Sequence, residues 1–403
     1  MSGAPSPEWC RDHFDYLAPE VNEHLVATLA TMRAQCPVTH SDAHGGYWVA
    51  TRYEDVLRVA QDWRTYSSEH GVSVPGTSAM VVKAIPEHVD PPLHREYKRV
   101  ITPWFTPAAV ATHEAPTRAL VTRLIDEFVE DGECELMASF ARPLPGLAFF
   151  ELVLGAPPDE AAHVNELSMA ASTPTNPDRG TAWKAMFDWI VAFLDQRRRR
   201  PPRDDVVGAV LGARIEGRPI SDDEAIGMVQ LLILGGLDTT AGALGSFAVR
   251  FCEQPEVPAL LRDRPDLVAD AVEELLRLDG PFISIARTTT GPTELGGCPI
   301  DEGEKVLLSW ASANRDEAEF PEPDRFVVDR SANRHLAFGA GPHRCAGSNL
   351  ARMNLRIAVT ELVRRLPELR LLEPAETLPF HSALNRSPLR VPVAFTPGRK
   401  EST

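Results

Sequence analysis

The sequence predicts a mainly α-helical protein with a minor β region, folded as a single large domain, and three observations predict it. Apolar residues recur at helical spacing over long stretches, 116–131, 183–200, 221–252, 267–278 and 347–366. Runs rich in aromatic and β-branched residues are short and few, at 47–51, 306–308 and 391–395, the first followed by a helical pattern over 53–62. Across 403 residues there is no repeat of fixed period, no low-complexity segment and no Gly/Ser linker, so one continuous core is expected over 1–403. Residues 1–20 and 396–403 are expected to be peripheral.

Charge narrows the partners. Lys and Arg number 41 against 57 Asp and Glu, and the net charge of −16 repels a nucleic-acid backbone and gives no general attraction to an anionic membrane. Neither partner is expected. The most apolar run, 228–237, contains Gln230 and stops at Asp238, short of the roughly 20 residues that span a bilayer. The opening M-S-G-A-P-S-P-E-W-C has neither the basic start nor the apolar stretch of a secretory signal, so the cytoplasm is the expected compartment. The basic run 197–200 follows an amphipathic stretch and precedes Pro201-Pro202, as the solvated end of a helix would.

The six cysteines lie far apart with no C-x-x-C pair, which points to neither a disulfide framework nor a four-thiolate metal site. Cys345 stands out by its setting. Residues 338–347 read F-G-A-G-P-H-R-C-A-G, immediately before a strong helical pattern. Glycine allows the backbone to approach a flat macrocycle closely and to adopt dihedrals closed to other residues. A cysteine at a helix N-terminus has its negative form stabilised by free N–H groups, and such a thiolate can ligate haem iron. Two other readings remain open from the residues alone: a packed free thiol, and a zinc site recruiting His343, for which further ligands are missing nearby.

These residues resemble the haem-binding signature F-x-x-G-x-x-x-C-x-G of the cytochrome P-450 superfamily, matched at Phe338, Gly341, Cys345 and Gly347. The resemblance implies that fold, haem b (iron protoporphyrin IX) with Cys345 as its axial ligand, and O2 as co-substrate. It implies further that Phe338 packs beside the sulfur, that Gly339 and Gly347 shape the cofactor loop, and that His343 contacts a haem propionate.

Other elements agree in order and spacing. Glu274 and Arg277 stand three apart on one helix face, about seventy residues before Cys345; alone they read as a surface ion pair. In the family such an E-x-x-R pair is completed by a residue of the later meander, and Arg325 matches that place. Residues 231–241, L-L-I-L-G-G-L-D-T-T-A, form an apolar helix pattern interrupted by Gly235-Gly236. Each glycine costs about 1 kcal/mol against Ala in a helix, so something must come close to that backbone. The alternative is a buried helix whose Thr239 and Thr240 bond back to preceding carbonyls. The stretch is similar to the family's oxygen-binding helix, which makes Asp238 the proton-relay acid and Thr239 the hydroxyl that steadies oxygen. His94 and Lys98, four apart in D-P-P-L-H-R-E-Y-K-R, match a propionate-binding pair in which many members carry Arg at the second place; Arg287 matches another propionate contact.

By resemblance the chain is a monooxygenase of the soluble bacterial type, near the camphor-hydroxylating members, inserting one oxygen atom from O2 into a C–H bond. It carries no flavin or iron–sulfur motif, so electrons are expected from a ferredoxin with its NAD(P)H-dependent reductase. Arg344, Arg352, Arg356 and Lys98 are candidates for a basic docking patch, with ordinary solvated arginines as the other reading. Val72, Val82, Leu231, Leu234, Phe282, Ile283 and Leu384 align with substrate-contact regions, with Asn385 as a polar contact or a turn residue. They predict a small apolar substrate: terpenoid, alicyclic or aromatic. A haem-thiolate sensor without turnover and a peroxide-driven variant are the alternatives.

Overall fold

The computed structural model describes residue 9 and residues 13–76, 80–173, 176–382 and 384–401. Its largest sheet has five strands, β1 (Val38–Ser41), β2 (Tyr47–Ala50), β3 (Tyr66–Ser67), β4 (Ser284–Thr289) and β5 (Lys305–Ser309), in the spatial order β1-β2-β5-β4-β3. β5 runs parallel to β2, with Leu307 opposite Val49, and antiparallel to β4, with Val306 opposite Arg287. Every residue of β4 is buried, so Arg287 is carried on a fully packed strand. A small hairpin of β6 (Phe380–Ser382) and β7 (Arg386–Pro388) holds Asn385 beside its turn.

Five helices position the site: α1 (Leu93–Ile101), α2 (Asp222–Gly236), α3 (Asp238–Glu253), α4 (Val268–Asp279) and α5 (Ser348–Arg365). α2 begins with a capping box, in which the Ser221 hydroxyl accepts from the Glu224 N–H and the Glu224 carboxylate accepts from the Ser221 N–H. The main core joins α3, α4 and α5 through Leu244, Phe247, Phe251, Leu275, Leu355 and Val359. Each such side chain contributes roughly 1.5–3 kcal/mol on burial. A second cluster packs α2 against Phe149, Phe150 and Trp183, and Leu234, Ala346 and Leu350 lean on it from the ends of α2 and α5.

Three expectations change. The single helix expected over 221–252 is two, broken at Leu237. Of the segments 1–20 and 396–403, described residues on both sides pack into the fold: Phe14 and Tyr16 are 1% and 2% exposed, with Tyr16 edge-on to Tyr47. At the other end the Thr396 and Gly398 amides donate to the Pro367 and Val129 carbonyls. Two helical stretches, Met137–Leu154 and Asp222–Glu253, are also long and apolar enough to cross a membrane by composition. Both lie largely inside the core, and the first escaped the sequence reading because Arg142 and Glu151 interrupt it.

Candidate active site

The loop 338–347 is closed by the Cys345 N–H, which donates to the Phe338 carbonyl at 2.9 Å. Gly339 and Gly341 have φ of +67° and +68°, and a Cβ on Gly341 would sit 2.2 Å from the Ala60 carbonyl oxygen, so only glycine lets the loop pass there. α5 begins three residues beyond Cys345, with Gly347 as its N-cap. Cys345 is exposed at its surface although protein atoms crowd it on most sides. Burial pushes it up; the Gly347 N–H, and then Lys98, Arg344 and Arg352, pull the other way without winning. Among the described residues no group of three His, Cys, Asp or Glu side chains could hold a metal ion, which removes the zinc reading.

Phe338 lends its carbonyl to the loop, and its ring lies 4.4 Å from the Arg352 guanidinium. Arg352 donates two bonds of 2.7 Å to Glu273, which His335 meets at 3.0 Å. Burial pushes the Glu273 carboxyl up, but the bonds from His335 and Arg352 outweigh it and hold it near 2. The expected basic patch shrinks accordingly: Arg352 is neutralised by Glu273, Arg356 pairs with Glu114 at 3.0 Å, and Arg344 stays exposed.

The Glu274–Arg277 pair is fully buried, with bonds of 2.7 Å from Arg277 Nε and Nη2. Arg277 also donates to the carbonyls of Asn314 and Pro323, at 2.8 and 2.7 Å. The third member is Arg330, whose Nε reaches both Glu274 oxygens at 3.0 and 3.1 Å. Arg325, expected in that place, is exposed and pairs with Glu322; only its carbonyl joins the network, accepting from Arg277 at 3.2 Å. The meander turns so that residue 330, not 325, faces α4.

A second constellation gathers where α1, β4 and the cysteine loop meet. His94 and Arg287 are 2% and 3% exposed, and the rings of His94 and His343 lie 4.3 Å apart. Burial, then Lys98, lowers His94 to about 4; burial, then Arg287, lowers His343 further, and burial holds Arg287 at about 10. Of the acids around the cluster, Asp90 is engaged by Ser67 and Ser68 and lies 3.9 Å from His343, and Glu87 acts on Arg287 more strongly than Asp90 does. His94 Nδ1 is buried with no partner. Such under-neutralised donors fit the carboxylates of a propionate-bearing cofactor. Lys98 differs from expectation: its ammonium donates to the Pro342 and Arg344 carbonyls at 2.5 and 2.8 Å, stapling α1 to the loop.

At the α2–α3 break the Thr239 hydroxyl donates to the Gly235 carbonyl at 2.9 Å, the back-bonding that was the alternative reading. The two glycines separate in function. A Cβ on Gly236 would meet the Phe149 ring at 2.7 Å, whereas one on Gly235 would meet nothing within 4 Å. Packing accounts for Gly236, and Gly235 faces open space. Asp238 is 9% exposed and accepts from Asn385 Nδ2 at 3.1 Å.

Of the expected pocket residues, Val82, Leu231, Leu234, Phe282, Leu384 and Asn385 are half-buried. Val72 and Ile283 are buried, Val72 in a cluster that includes Tyr66 and Trp310 and Ile283 in one that includes Phe14, Leu25 and Leu29. Sequence reading missed Glu273, Arg330 and Glu87. The Glu87 side chain is 27% exposed, with Oε2 3.7 Å from His88, and enclosure pushes it up to about 7 against the pull of Arg287. No local motif marks any of the three.

An exposed thiol in a glycine-rich loop, a basic cluster suited to carboxylates and a broken acid–alcohol helix define the class of haem-thiolate oxygenases. The cytochrome P450 family matches residues 163–377. Nocardicin C N-oxygenase of Nocardia uniformis subsp. tsuyamanensis is 35% identical over 86% of this chain and 89% of its own. Steroid C26-monooxygenase of Mycobacterium tuberculosis (strain CDC 1551 / Oshkosh) is 33% identical over 91% and 99%. Among solved structures, the Bacillus subtilis 168 bacillaene polyketide synthase cytochrome P450 PksS superposes with a TM-score of 0.87 at 26% identity, over 95% of this chain and 100% of that one. The chain belongs to the cytochrome P450 family. It is a monooxygenase that uses haem b and O2.

Proposed function

We propose that the enzyme inserts oxygen into a C–H bond of a small apolar substrate, a terpenoid, alicyclic or aromatic compound, with electrons from a ferredoxin and its NAD(P)H-dependent reductase in the cytoplasm. In this reading Cys345 Sγ holds the haem iron, and His94, His343 and Arg287 hold the propionates. Lys98 keeps the loop shut, with Gly339 and Gly347 shaping it, and Phe338 steadies it under Arg352. Glu274, Arg277 and Arg330 fix the meander that leads into it. Bound there, haem supplies the activation of dioxygen and the oxidation of substrate.

The single observation that carries the reading is the break at Leu237, which sets Asp238 and Thr239 at the start of α3 beside the clear space at Gly235; the Thr239 hydroxyl itself bonds back to the Gly235 carbonyl at 2.9 Å, as a structural helix threonine also does. Its hydrogen is committed to that carbonyl, so its lone pairs are left to accept from a proton donor in the cavity. Asp238 holds and releases a proton at the carboxylate oxygen that Asn385 does not engage. Gly235 leaves the adjoining space clear. The apolar side chains of Val82, Leu231, Leu234, Phe282 and Leu384 favour an apolar substrate and exclude water. The relatives' names point to chemically unlike substrates, so this pocket rather than those names supports the choice.

Replacing Thr239 by Ala is expected to leave electron consumption in place while product per electron falls severalfold. Unchanged coupling would contradict the assignment. A panel of terpenoid, aromatic and steroid ligands, screened by Soret shift with products identified by mass spectrometry, tests the substrate class; turnover confined to steroids would overturn it.

A further inference from the structure

Asp238 forms no ion pair among the described residues; a neutral amide 147 positions away donates to its carboxylate. That amide is held rigidly. Asn385 bridges Phe282, the neighbouring Leu384 carbonyl accepts from the Ile283 N–H at 2.8 Å, and the Arg386 N–H donates to Pro281 at 2.7 Å. The following strand β7 presses on α3, where a Cβ on Gly242 would lie 2.8 Å from Ser387 and one on Gly245 2.8 Å from Pro388. The amide therefore sits on the same two elements that place the first turn of α3. Its orientation is fixed by chemistry, since the reverse rotamer would set its oxygen against a carboxylate. Asn385 Oδ1 is then left buried with no partner, an acceptor that a hydrogen donor, such as a water, must satisfy.

We propose that Asn385 is a positioning residue for proton delivery: Nδ2 pins one oxygen of Asp238, and Oδ1 holds the water that passes protons to the other. This rests on the proton-relay reading of Asp238 and Thr239. The amide itself neither gains nor loses a proton.

The test compares holoenzymes reduced through a plant-type ferredoxin and its reductase, with linalool as probe ligand, reading dioxygen consumption, the fraction released as hydrogen peroxide and the solvent isotope effect. Asn385→Leu is expected to slow dioxygen consumption roughly tenfold at saturating linalool and to raise both the isotope effect and the peroxide fraction. The half-saturating ligand concentration should move less than twofold. A change in ligand affinity alone, with rate, isotope effect and peroxide fraction unmoved, would reduce Asn385 to a wall of the pocket and overturn the proposal. Should Asn385→Leu fail to hold haem, the near-isosteric Asn385→Asp decides. It sets two carboxyls side by side, so the acid limb of the pH–rate profile should rise by a pH unit or more; an unmoved profile overturns the proposal. Thr239→Ala in the same assay separates the two claims. If it is silent while the Asn385 variants respond, the role read for Thr239 fails and proton delivery through the Asn385-held Asp238 stands.

Discussion

Arg330 Nε spans both oxygens of Glu274 at 3.0 and 3.1 Å, although the two residues are 56 positions apart and share no motif. With Arg277 on its other side, the Glu274 carboxylate receives two guanidinium groups plus the Val327 N–H and the Asn333 amide. The hydrogen bonds outweigh burial and hold its pKa below the ordinary carboxylate value. Removing one partner from a buried pair strands a charge and costs about 3–5 kcal/mol, whereas an exposed pair costs about 1 kcal/mol or less. Arg330→Ala should therefore unfold at much lower urea and lose haem on gel filtration, and Arg325→Ala should resemble the parent. Equal midpoints for the two variants would contradict the assignment.

The paired glycines of α2 should behave oppositely. Gly236→Ala drives a methyl into the Phe149 ring and is expected to destabilise by about 1–3 kcal/mol. Gly235→Ala meets no atom and gains helix propensity, so its stability should hold or rise by up to about 1 kcal/mol while ligand-induced Soret shifts weaken. Urea midpoints and ligand titrations on both proteins check this; a destabilised Gly235→Ala with unchanged titrations would refute it.

Glu273 makes stability depend on pH. Its folded-state value near 2 lies below the ordinary 4.5, so across that interval the unfolded chain binds more protons. Its contribution is present above pH 4.5 and is lost as pH falls toward 2, with an upper bound on the order of 3 kcal/mol. Urea midpoints followed downward from pH 6 should fall less steeply for Glu273→Gln than for the parent. Since Glu273 also holds Arg352 over Phe338, the variant should retain haem less firmly at neutral pH. Parallel pH curves would contradict the role.

What was legible in the sequence was contiguous. The loop around Cys345 and the step from Glu274 to Arg277 each lie within one short segment, so spacing alone displays their geometry. The long helices were legible too, because their apolar periodicity is imposed by one core. Contacts that close only in three dimensions were not. Arg325 and Arg330 share one meander, and which of them faces Glu274 depends on how that chain turns. Asp238 and Asn385 meet through the register of a hairpin against α3, and the clusters that bury Val72 and Ile283 likewise form only when the amino-terminal segment and the sheet come together. Helical spacing placed Lys98 with His94 on one face, but the carbonyls of Pro342 and Arg344 claim its ammonium.

Coordination of iron by sulfur is the claim on which the rest stands, and the carbon-monoxide adduct of the reduced holoenzyme tests it most directly. The intact protein should show the red-shifted Soret band of a thiolate-ligated haem, and Cys345→His should move that band to the imidazole position while retaining the fold. An imidazole-type band in the unaltered protein, or a thiolate band surviving in Cys345→His, would contradict the account.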